Sequence, residues 1–286
     1  MKVLALGVGT PTPTVNNWGS SFVVEYGDSK LMFDCGPAAT DRLVRAGGYP
    51  TEIGHLFLTH LHFDHVVDLP ALLLSRWDQG GHYLPPIEIV GPQPTDTFVE
   101  DLIGRQGAFR HDIEARIGFP GSQQVFMNRG GVLPRPWPET NSTVVAAGDS
   151  YEGDGWRVTA GHAQHVQPYL DSLAYRLETD SGSVVFTGDT GPCDEVVQLA
   201  TGADVLYSMC WDLQGDMRRM GEDNGQTGPI TAGQMAAAAG VGTLVLVHHG
   251  PNLDVDEHRR QAIEEAESVF DGRVVFADEG LALDVG

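Results

Sequence analysis

Short apolar runs separated by turn-forming residues occupy most of the chain. Runs bounded by Gly, Pro, Asn or Asp predict short strands, and those of the first third read KVLALGV, SFVVEYG, KLMFD, HLFLT and PIEIVG. The second half contains the similar runs WRVTAGH, SLAYRLET, SVVFTG, DVLYSM, TLVLVH and RVVFA. Stretches with helical spacing lie between the strands, among them ATDRLVRAGG, VVDLPALLLSRWDQGG, TAGQMAAAAG and DVDEHRRQAIEEAESVF. This alternation predicts an α/β fold in which two sheets pack face to face and helices cover them.

Two stretches depart from this pattern. Residues 104–142 are rich in Gly, Pro and Arg and show no sustained period, and residues 211–230 look like a second loop. Long irregular stretches in compact domains are usually functional or disordered, and we interpret 104–142 as an insertion or lid over the core. Aromatic side chains from the two stretches could contact a substrate or simply pack the loops, and the candidates are Phe109, Phe119, Trp137 and Trp211.

The segment LTHLHFDHVV, residues 58–67, concentrates imidazole and carboxylate groups directly after a buried strand. Burying several such groups together is costly unless a partner compensates for the lost hydration, and a metal ion is the obvious partner. His60 and His62 are two positions apart, so on extended backbone they point the same way and can bind one ion. Asp64 and His65 follow after the chain turns, where they can face a second ion.

More potential ligands stand where other apolar runs stop. His165 follows WRVTAGH, Asp189 follows SVVFTG, and TLVLVH ends at His248. Sites in layered α/β folds lie just outside strand ends, so these side chains are expected to complete the two metal sites. His162 competes with His165, and His249 competes with His248, because each pair lies near the end of the same run.

Taken together, the motifs resemble those of the metallo-β-lactamase superfamily of binuclear metallohydrolases. THLHFDH, TGDT and LVLVHH carry the resemblance, and GVGTPTP, FDCGP and DLP narrow it to the branch of ribonuclease Z, arylsulfatase-like and cyclic phosphodiesterase enzymes. The resemblance implies a four-layered αββα sandwich with an irregular inserted lid, formed by residues 1–286 as one domain. It implies a first ion bound by His60, His62 and His165, a second bound by Asp64, His65 and His248, a bridging Asp189, and a supporting acid, Asp34.

The resemblance also implies a mechanism, hydrolysis by a hydroxide that bridges two metal ions. Asp64 could take a proton from the attacking water and is the candidate catalytic residue. The histidine-rich set favours two Zn²⁺, whereas Mn²⁺, Fe²⁺ and Ni²⁺ are compatible with the same ligand types.

Charge and composition shape the expected partners. The chain carries 17 basic and 39 acidic side chains, a formal charge of −22, which opposes nucleic-acid binding and anionic membrane surfaces. No apolar run is long enough to span a membrane, and Lys2 to Val8 is interpreted as a first strand, so we expect a cytoplasmic protein. The three cysteines, Cys35, Cys193 and Cys210, indicate no disulfide framework.

We therefore expect a hydrolase of a small organic substrate with an ester-like bond: a phosphodiester, sulfate ester, carboxylic ester or lactone. HLHFDH also resembles acyl-homoserine lactone lactonases. The alternatives are a tRNA 3′-processing endonuclease similar to ribonuclease Z and a non-catalytic metal-binding module. Against the endonuclease stand the negative charge, the short interval of 24 positions from His165 to Asp189, and Gln226 and Thr227 where that family has a proton-donating histidine. A homodimer is compatible with the resemblance.

Overall fold

Two seven-stranded sheets form the centre of the computed structural model, which describes residues 1–80 and 84–286. In the first sheet the strand order is β14-β1-β2-β3-β4-β5-β6, where the strands are β1 Lys2–Gly7, β2 Ser21–Tyr26, β3 Ser29–Phe33, β4 His55–Phe57, β5 Ile87–Gly91, β6 Thr140–Val144 and β14 Ala282–Asp284. The strands from β14 to β3 are antiparallel, and those from β3 to β6 are parallel.

The second sheet has the order β13-β12-β11-β10-β9-β8-β7. Its strands are β7 Ser150–Gly153, β8 Trp156–His162, β9 Leu173–Thr179, β10 Gly182–Phe186, β11 Val205–Met209, β12 Thr243–Val247 and β13 Arg273–Phe276. Strands β7 to β10 are antiparallel, whereas β10 to β13 are parallel. Each sheet therefore has a parallel part whose strand ends can gather functional side chains at one edge.

Aromatic side chains fill the space between the sheets. Phe33 of the first sheet stacks on Phe186 of the second with ring centroids 4.4 Å apart, and Phe22 meets Tyr207 at 5.4 Å. Alternation along the strands produces this core: Phe22 points between the sheets, whereas Val23 beside it packs under the outer helices. Both faces are buried, which is why the strand runs are apolar throughout.

Helices cover the outer faces of both sheets. The helices that precede β6 in the chain are α1 Ala39–Arg45, α2 Phe63–Val66, α3 Leu69–Gly80, α4 Thr95–Ile103, α5 Arg110–Gly118 and α6 Pro120–Asn128. The later ones are α7 Asp194–Ala200, α8 Gln214–Met220, α9 Pro229–Ala239 and α10 Asp256–Glu267. The expected αββα sandwich is thereby confirmed. Within residues 1–80 and 84–286, no helix combines the length and apolar character needed to cross a membrane.

The segment 104–142 is more regular than its sequence indicated, because it contains α5, α6 and the start of β6. Each of these helices buries one side chain, Ile113 in α5 and Phe126 in α6, so neither shows the apolar stripe from which a helix is normally predicted. The stretch 211–230 likewise contains a helix, α8.

The position of this insertion also differs from that of a lid. Trp137 precedes the first residue of β6, whereas His60 follows the last residue of β4, and these strands run parallel in one sheet. The indole N–H of Trp137 donates to the carbonyl of Ile103 at the end of α4, 2.7 Å away. The insertion thus leaves and returns at the end of the sheet opposite the histidine cluster.

Candidate metal centre

The predicted ligands come from loops at corresponding strand ends of both sheets. His60 and His62 follow β4, and α2 carries Asp64 and His65. His165 lies in the loop after β8, Asp189 after β10, and His248 directly after β12. The two sheets are joined here, since the amide of Leu173 donates to the carbonyl of Thr59 at 2.9 Å. Residues far apart in the chain therefore meet at one edge of the sandwich.

A first group consists of His60, His62, His165 and Asp189. Nδ1 of His62 lies 3.0 Å from Nε2 of His60 and 3.3 Å from Nε2 of His165. Oδ2 of Asp189 lies 3.9 Å from Nε2 of His60 and 3.7 Å from Nε2 of His165. Three ring nitrogens and one carboxylate oxygen thus surround a single point.

A second group consists of Asp64, His65 and His248. Nε2 of His248 lies 3.3 Å from Nε2 of His65 and 3.3 Å from Oδ2 of Asp64. Oδ1 of Asp189 is 3.3 Å from Nε2 of His65 and 3.2 Å from Nε2 of His248. Asp189 therefore directs one carboxylate oxygen to each group, as a bridging ligand would.

The chemistry of these groups fits two divalent cations. Within each group the ligand atoms all lie within 4.8 Å of one another, and imidazole with carboxylate is a donor set that transition metals accept. Oδ1 of Asp64 is buried and accepts no hydrogen bond from the described residues. A buried carboxylate oxygen in that state is costly unless a cation or a water compensates for it.

Contacts outside the two groups select the nitrogen that each histidine turns inward. Nδ1 of His60 lies 3.0 Å from Oγ1 of Thr59, and Nδ1 of His165 lies 2.8 Å from the carbonyl of Gly225. Nδ1 of His65 lies 2.7 Å from Oδ2 of Asp34. A ligating histidine usually donates its other N–H to such an acceptor. The pattern leaves Nε2 of all three rings available for a metal.

Asp34 contacts both Thr59 and His65 from a buried position. Its Oδ1 accepts from the amide of Thr59 at 2.8 Å, its Oδ2 accepts from the hydroxyl of Thr59 at 2.9 Å, and the hydroxyl of Ser20 is 3.4 Å away. The backbone of Asp34 is left-handed, with φ at 57°, and that of His248 has the same value. Asp and His adopt this conformation more readily than most residues.

Burial and mutual charge set the protonation of the centre. Burial lowers the pKa of His60 well below its usual value, and the neighbouring His65 adds to that shift. Burial would raise the pKa of Asp189, but His248 and His65 outweigh it and hold that pKa well below the usual range. For His65, burial is outweighed by Asp189 and Asp34, which raise its pKa well above the ordinary value. This imidazole therefore lies in a site that attracts a positive charge, whether a proton or a cation.

The competing histidines lie outside both groups. His249 donates from Nε2 to the carbonyl of Leu246 at 2.8 Å and stacks on Phe276 with centroids 3.8 Å apart. Its ring therefore packs against β13. His162 is the last residue of β8 and pairs with Leu173 in the ladder. Of the two pairs that the sequence left open, His165 and His248 are the members that lie in the two groups.

Of the four aromatic residues proposed as substrate contacts, Trp211 lies at the centre, whereas Phe119 belongs with Phe109 and Trp137 to the insertion at the opposite end of the first sheet. The ring of Trp211 is 6.2 Å from that of His248, and its indole N–H donates to Glu222. Trp137 lies at the opposite end of the first sheet, and the amide of Phe109 donates to the carbonyl of Leu102 near the end of α4. The predictions for Trp137 and Phe109 are corrected accordingly, because composition alone does not reveal the end of the sheet at which a loop lies.

Several residues of the centre were not predicted. The hydroxyl of Thr59 contacts Nδ1 of His60, and the carbonyl of Gly225 contacts Nδ1 of His165. No pattern in the sequence identifies a backbone carbonyl as the partner of a histidine. Phe63 and Tyr169 are 57% and 93% exposed; Phe63 directly follows the ligand His62, and Tyr169 lies four positions after the ligand His165. Phe63 stands inside the motif HLHFDH, so its position next to the metal groups was available from the sequence.

Comparison with known proteins agrees with this architecture. Residues 29–249 match the family model described as Beta-lactamase superfamily domain. The chain is 31% identical to "Ribonuclease Z" of Mycobacterium bovis over 286 residues, which is 98% of this chain and 96% of that protein. Among solved structures, the metallo-beta-lactamase fold protein YhfI from Bacillus subtilis has a TM-score of 0.75 at 23% identity, covering 99% of this chain and 98% of that one. Human tRNase Z, short form, has a TM-score of 0.70 at 20% identity, covering 100% of both chains.

These relatives overturn one prediction. We expected a small-molecule substrate and no nucleic acid, yet the Mycobacterium bovis relative is named for action on RNA, and a protein of the same fold is named for action on tRNA. The expectation rested largely on the formal charge of −22. Net charge sums over the whole surface, whereas substrate choice depends on the groups around the reacting centre, so the one does not determine the other.

Proposed function

The chain belongs to the beta-lactamase superfamily, and from that premise we propose that it is a binuclear metal-dependent phosphodiesterase that processes the 3′ end of tRNA. The shared position of Asp189 between two ligand groups is the structural observation that carries the proposal. The similarity to ribonuclease Z over 98% of the chain supports the choice of substrate.

Zinc is the proposed metal, because imidazole nitrogens make up three of the four ligands of the first set and two of the four of the second. His60, His62, His165 and Asp189 would hold the first ion. Asp64, His65, His248 and the second oxygen of Asp189 would hold the other. Ions bound there supply an acidified water and a polarised phosphate.

Asp64 has the free atom that proton transfer requires. Its Oδ2 lies 3.3 Å from Nε2 of His248, which leaves Oδ1, an atom without a hydrogen-bond donor among the described residues. That oxygen can accept the proton of the attacking water, provided the carboxylate is ionised. Burial would raise the pKa of Asp64, but the hydrogen bond with His248 and the charge of His65 outweigh it and lower that pKa. Asp64 is therefore a base in its resting form.

The direct test is cleavage of a precursor tRNA that carries a 3′ trailer. Zinc-loaded protein should release the trailer, and a chelator should abolish release. A panel of aryl phosphodiester, aryl sulfate, aryl ester and lactone probes, assayed in parallel, reports whether the centre is active and toward which bond. Turnover of a probe without cleavage of the precursor at full metal occupancy would overturn the tRNA assignment.

A further inference from the structure

We propose that Phe63 and Tyr169 are stacking faces for the unpaired bases that flank the scissile phosphodiester, an inference that rests on the proposed function. Both side chains are aromatic and strongly exposed, at 57% and 93%. Phe63 begins α2 directly after His62, and Tyr169 lies on the loop that carries His165; both histidines belong to the first metal group. A nucleotide whose phosphate enters that group would therefore lie near the start of α2 and the loop of Tyr169.

Phe63 is held in a fixed position. It is the first residue of α2, between His62 and Asp64, and its carbonyl accepts from the amide of Val67 at 2.9 Å. The backbone of Asp64 packs so closely that a Cβ added at Gly19 or Gly36 would lie 2.3 or 2.1 Å from its carbonyl oxygen. This packing restrains α2, and the phenyl ring is presented to solvent from a restrained backbone.

The loop of Tyr169 is also anchored. The amide of Tyr169 donates to the carbonyl of Val166 at 3.1 Å. Two further bonds hold the loop: the side chain of Gln167 accepts from the amide of His165 at 2.9 Å and donates to the carbonyl of Ala163 at 2.7 Å. His165 in turn lies 3.3 Å from His62. The two aromatic residues therefore stand on neighbouring segments of the chain, each restrained by its own contacts.

Stacking on an aromatic ring is a mode of recognition that is compatible with the acidic composition of the protein. A chain with 17 basic and 39 acidic groups has little capacity to neutralise many phosphates. Stacking of a base on an aromatic ring requires no charge, accepts any base, and changes affinity by on the order of 10-fold or more per base. Exposed aromatic rings beside the reacting centre can therefore bind RNA bases even though the net charge of the protein repels RNA phosphates.

The first experiment compares Phe63→Ala and Tyr169→Ala with Phe119→Ala on precursor tRNA. Phe119 is the matched control, since it is 64% exposed but belongs to the insertion at the opposite end of the first sheet. We expect KM to rise roughly 10-fold in each test variant, with a much smaller change in kcat, and no change in the control. Phe63→Tyr should restore the affinity and Phe63→Leu should not, because only the former retains an aromatic face.

The second experiment removes the base instead of the ring. Precursor RNAs with an abasic nucleotide on either side of the cleaved bond form a double-mutant cycle with the two alanine variants. The loss of affinity from removing the base and the loss from removing the aromatic ring should not add. A 2-aminopurine at the same positions should be quenched on mixing with zinc-loaded protein before cleavage, and less so with the variants. Metal content of each variant is measured alongside, so that a damaged centre is recognised.

Additive losses, or test variants that match Phe119→Ala while RNA is still cleaved, would overturn this inference and leave the proposed function standing. Wild-type protein with two bound ions that neither binds nor cleaves the RNA would overturn the proposed function itself, and the stacking role with it.

Discussion

Nδ1 of His65 lies 2.7 Å from Oδ2 of Asp34, and both side chains are almost completely buried. The contact fixes the ring so that Nε2 faces Asp64, Asp189 and His248. Asp34, which contacts His65 but no other predicted metal ligand, thus determines how the ring of His65 is oriented.

Replacing Asp34 should weaken metal binding without removing a ligand. Asp34→Asn retains the shape but loses the charge that orients His65, and such supporting partners typically change affinity by about 10- to 100-fold. We expect a loss of that size at one of two sites in a competition titration against a chelating dye. Asp28→Asn, in the exposed turn between β2 and β3, is the control. Equal affinities for wild type and Asp34→Asn would show that the contact has no influence on the metal.

His62→Ala should lose metal and hydrolysis together. Nδ1 of His62 is the atom that lies closest to both other histidines of the first group, at 3.0 and 3.3 Å. Elemental analysis should show fewer ions per chain, and cleavage should fall to background. His162→Ala, which alters a histidine outside both groups, should retain both properties. Activity in His62→Ala at full metal occupancy would contradict the proposed ligand set.

Substitutions of Asp189 and His248 should affect different numbers of metal sites if Asp189 bridges the two groups. Asp189→Asn removes a charge shared by both sites, so it should lower the metal affinity of both sites. His248→Ala should lower the metal affinity of one site. Isothermal titration of metal-free protein with Zn²⁺ measures the number of sites and their affinities. A single weakened site in Asp189→Asn would indicate that the carboxylate serves one ion only.

Thr59→Val should destabilise the fold. The substitution preserves shape but removes the hydroxyl that donates to Asp34, leaving a buried carboxylate less satisfied. The expected cost is about 1–3 kcal/mol in the free energy of unfolding, measured by urea denaturation. Thr97→Val, at an exposed position of α4, should change it little. A cost no larger than that of Thr97→Val would mean that the backbone amide of Thr59 suffices.

Asp78 should make stability depend on pH below about 4. Burial would raise its pKa, but hydrogen bonds from Arg135 and Arg129 outweigh it and lower that pKa. A carboxylate whose folded pKa lies below the unfolded value of about 3.9 stabilises the fold above that pH, and the contribution is lost as the pH falls through the folded pKa.

The corresponding variant is Asp78→Asn. It should cost roughly 1.5–3 kcal/mol at pH 7 and progressively less toward pH 3, measured as urea midpoints at both values. Asp112→Asn, at a more exposed partner of Arg116, should show a smaller dependence. A difference that persists unchanged at pH 3 would exclude a role for ionised Asp78.

The layered fold and the positions of the candidate ligands followed from the sequence by itself. Short apolar runs bounded by turn-forming residues predict strands, and polar residues where such runs stop predict a shared edge, which is where His60, His165, Asp189 and His248 meet. The helices α5 and α6 were missed because each buries a single side chain, and periodicity reports burial rather than helicity.

Only the tertiary structure decided the choices that depend on direction and distance. Adjacent residues His248 and His249 have the same chemistry, and a left-handed backbone at His248 accompanies the turning of one ring into the centre and the other onto Phe276. Trp211 and Trp137 both lie in loops, and strand direction places them at opposite ends of the molecule. Local sequence specifies which residues can act at a strand end, whereas packing across two sheets determines which of them meet.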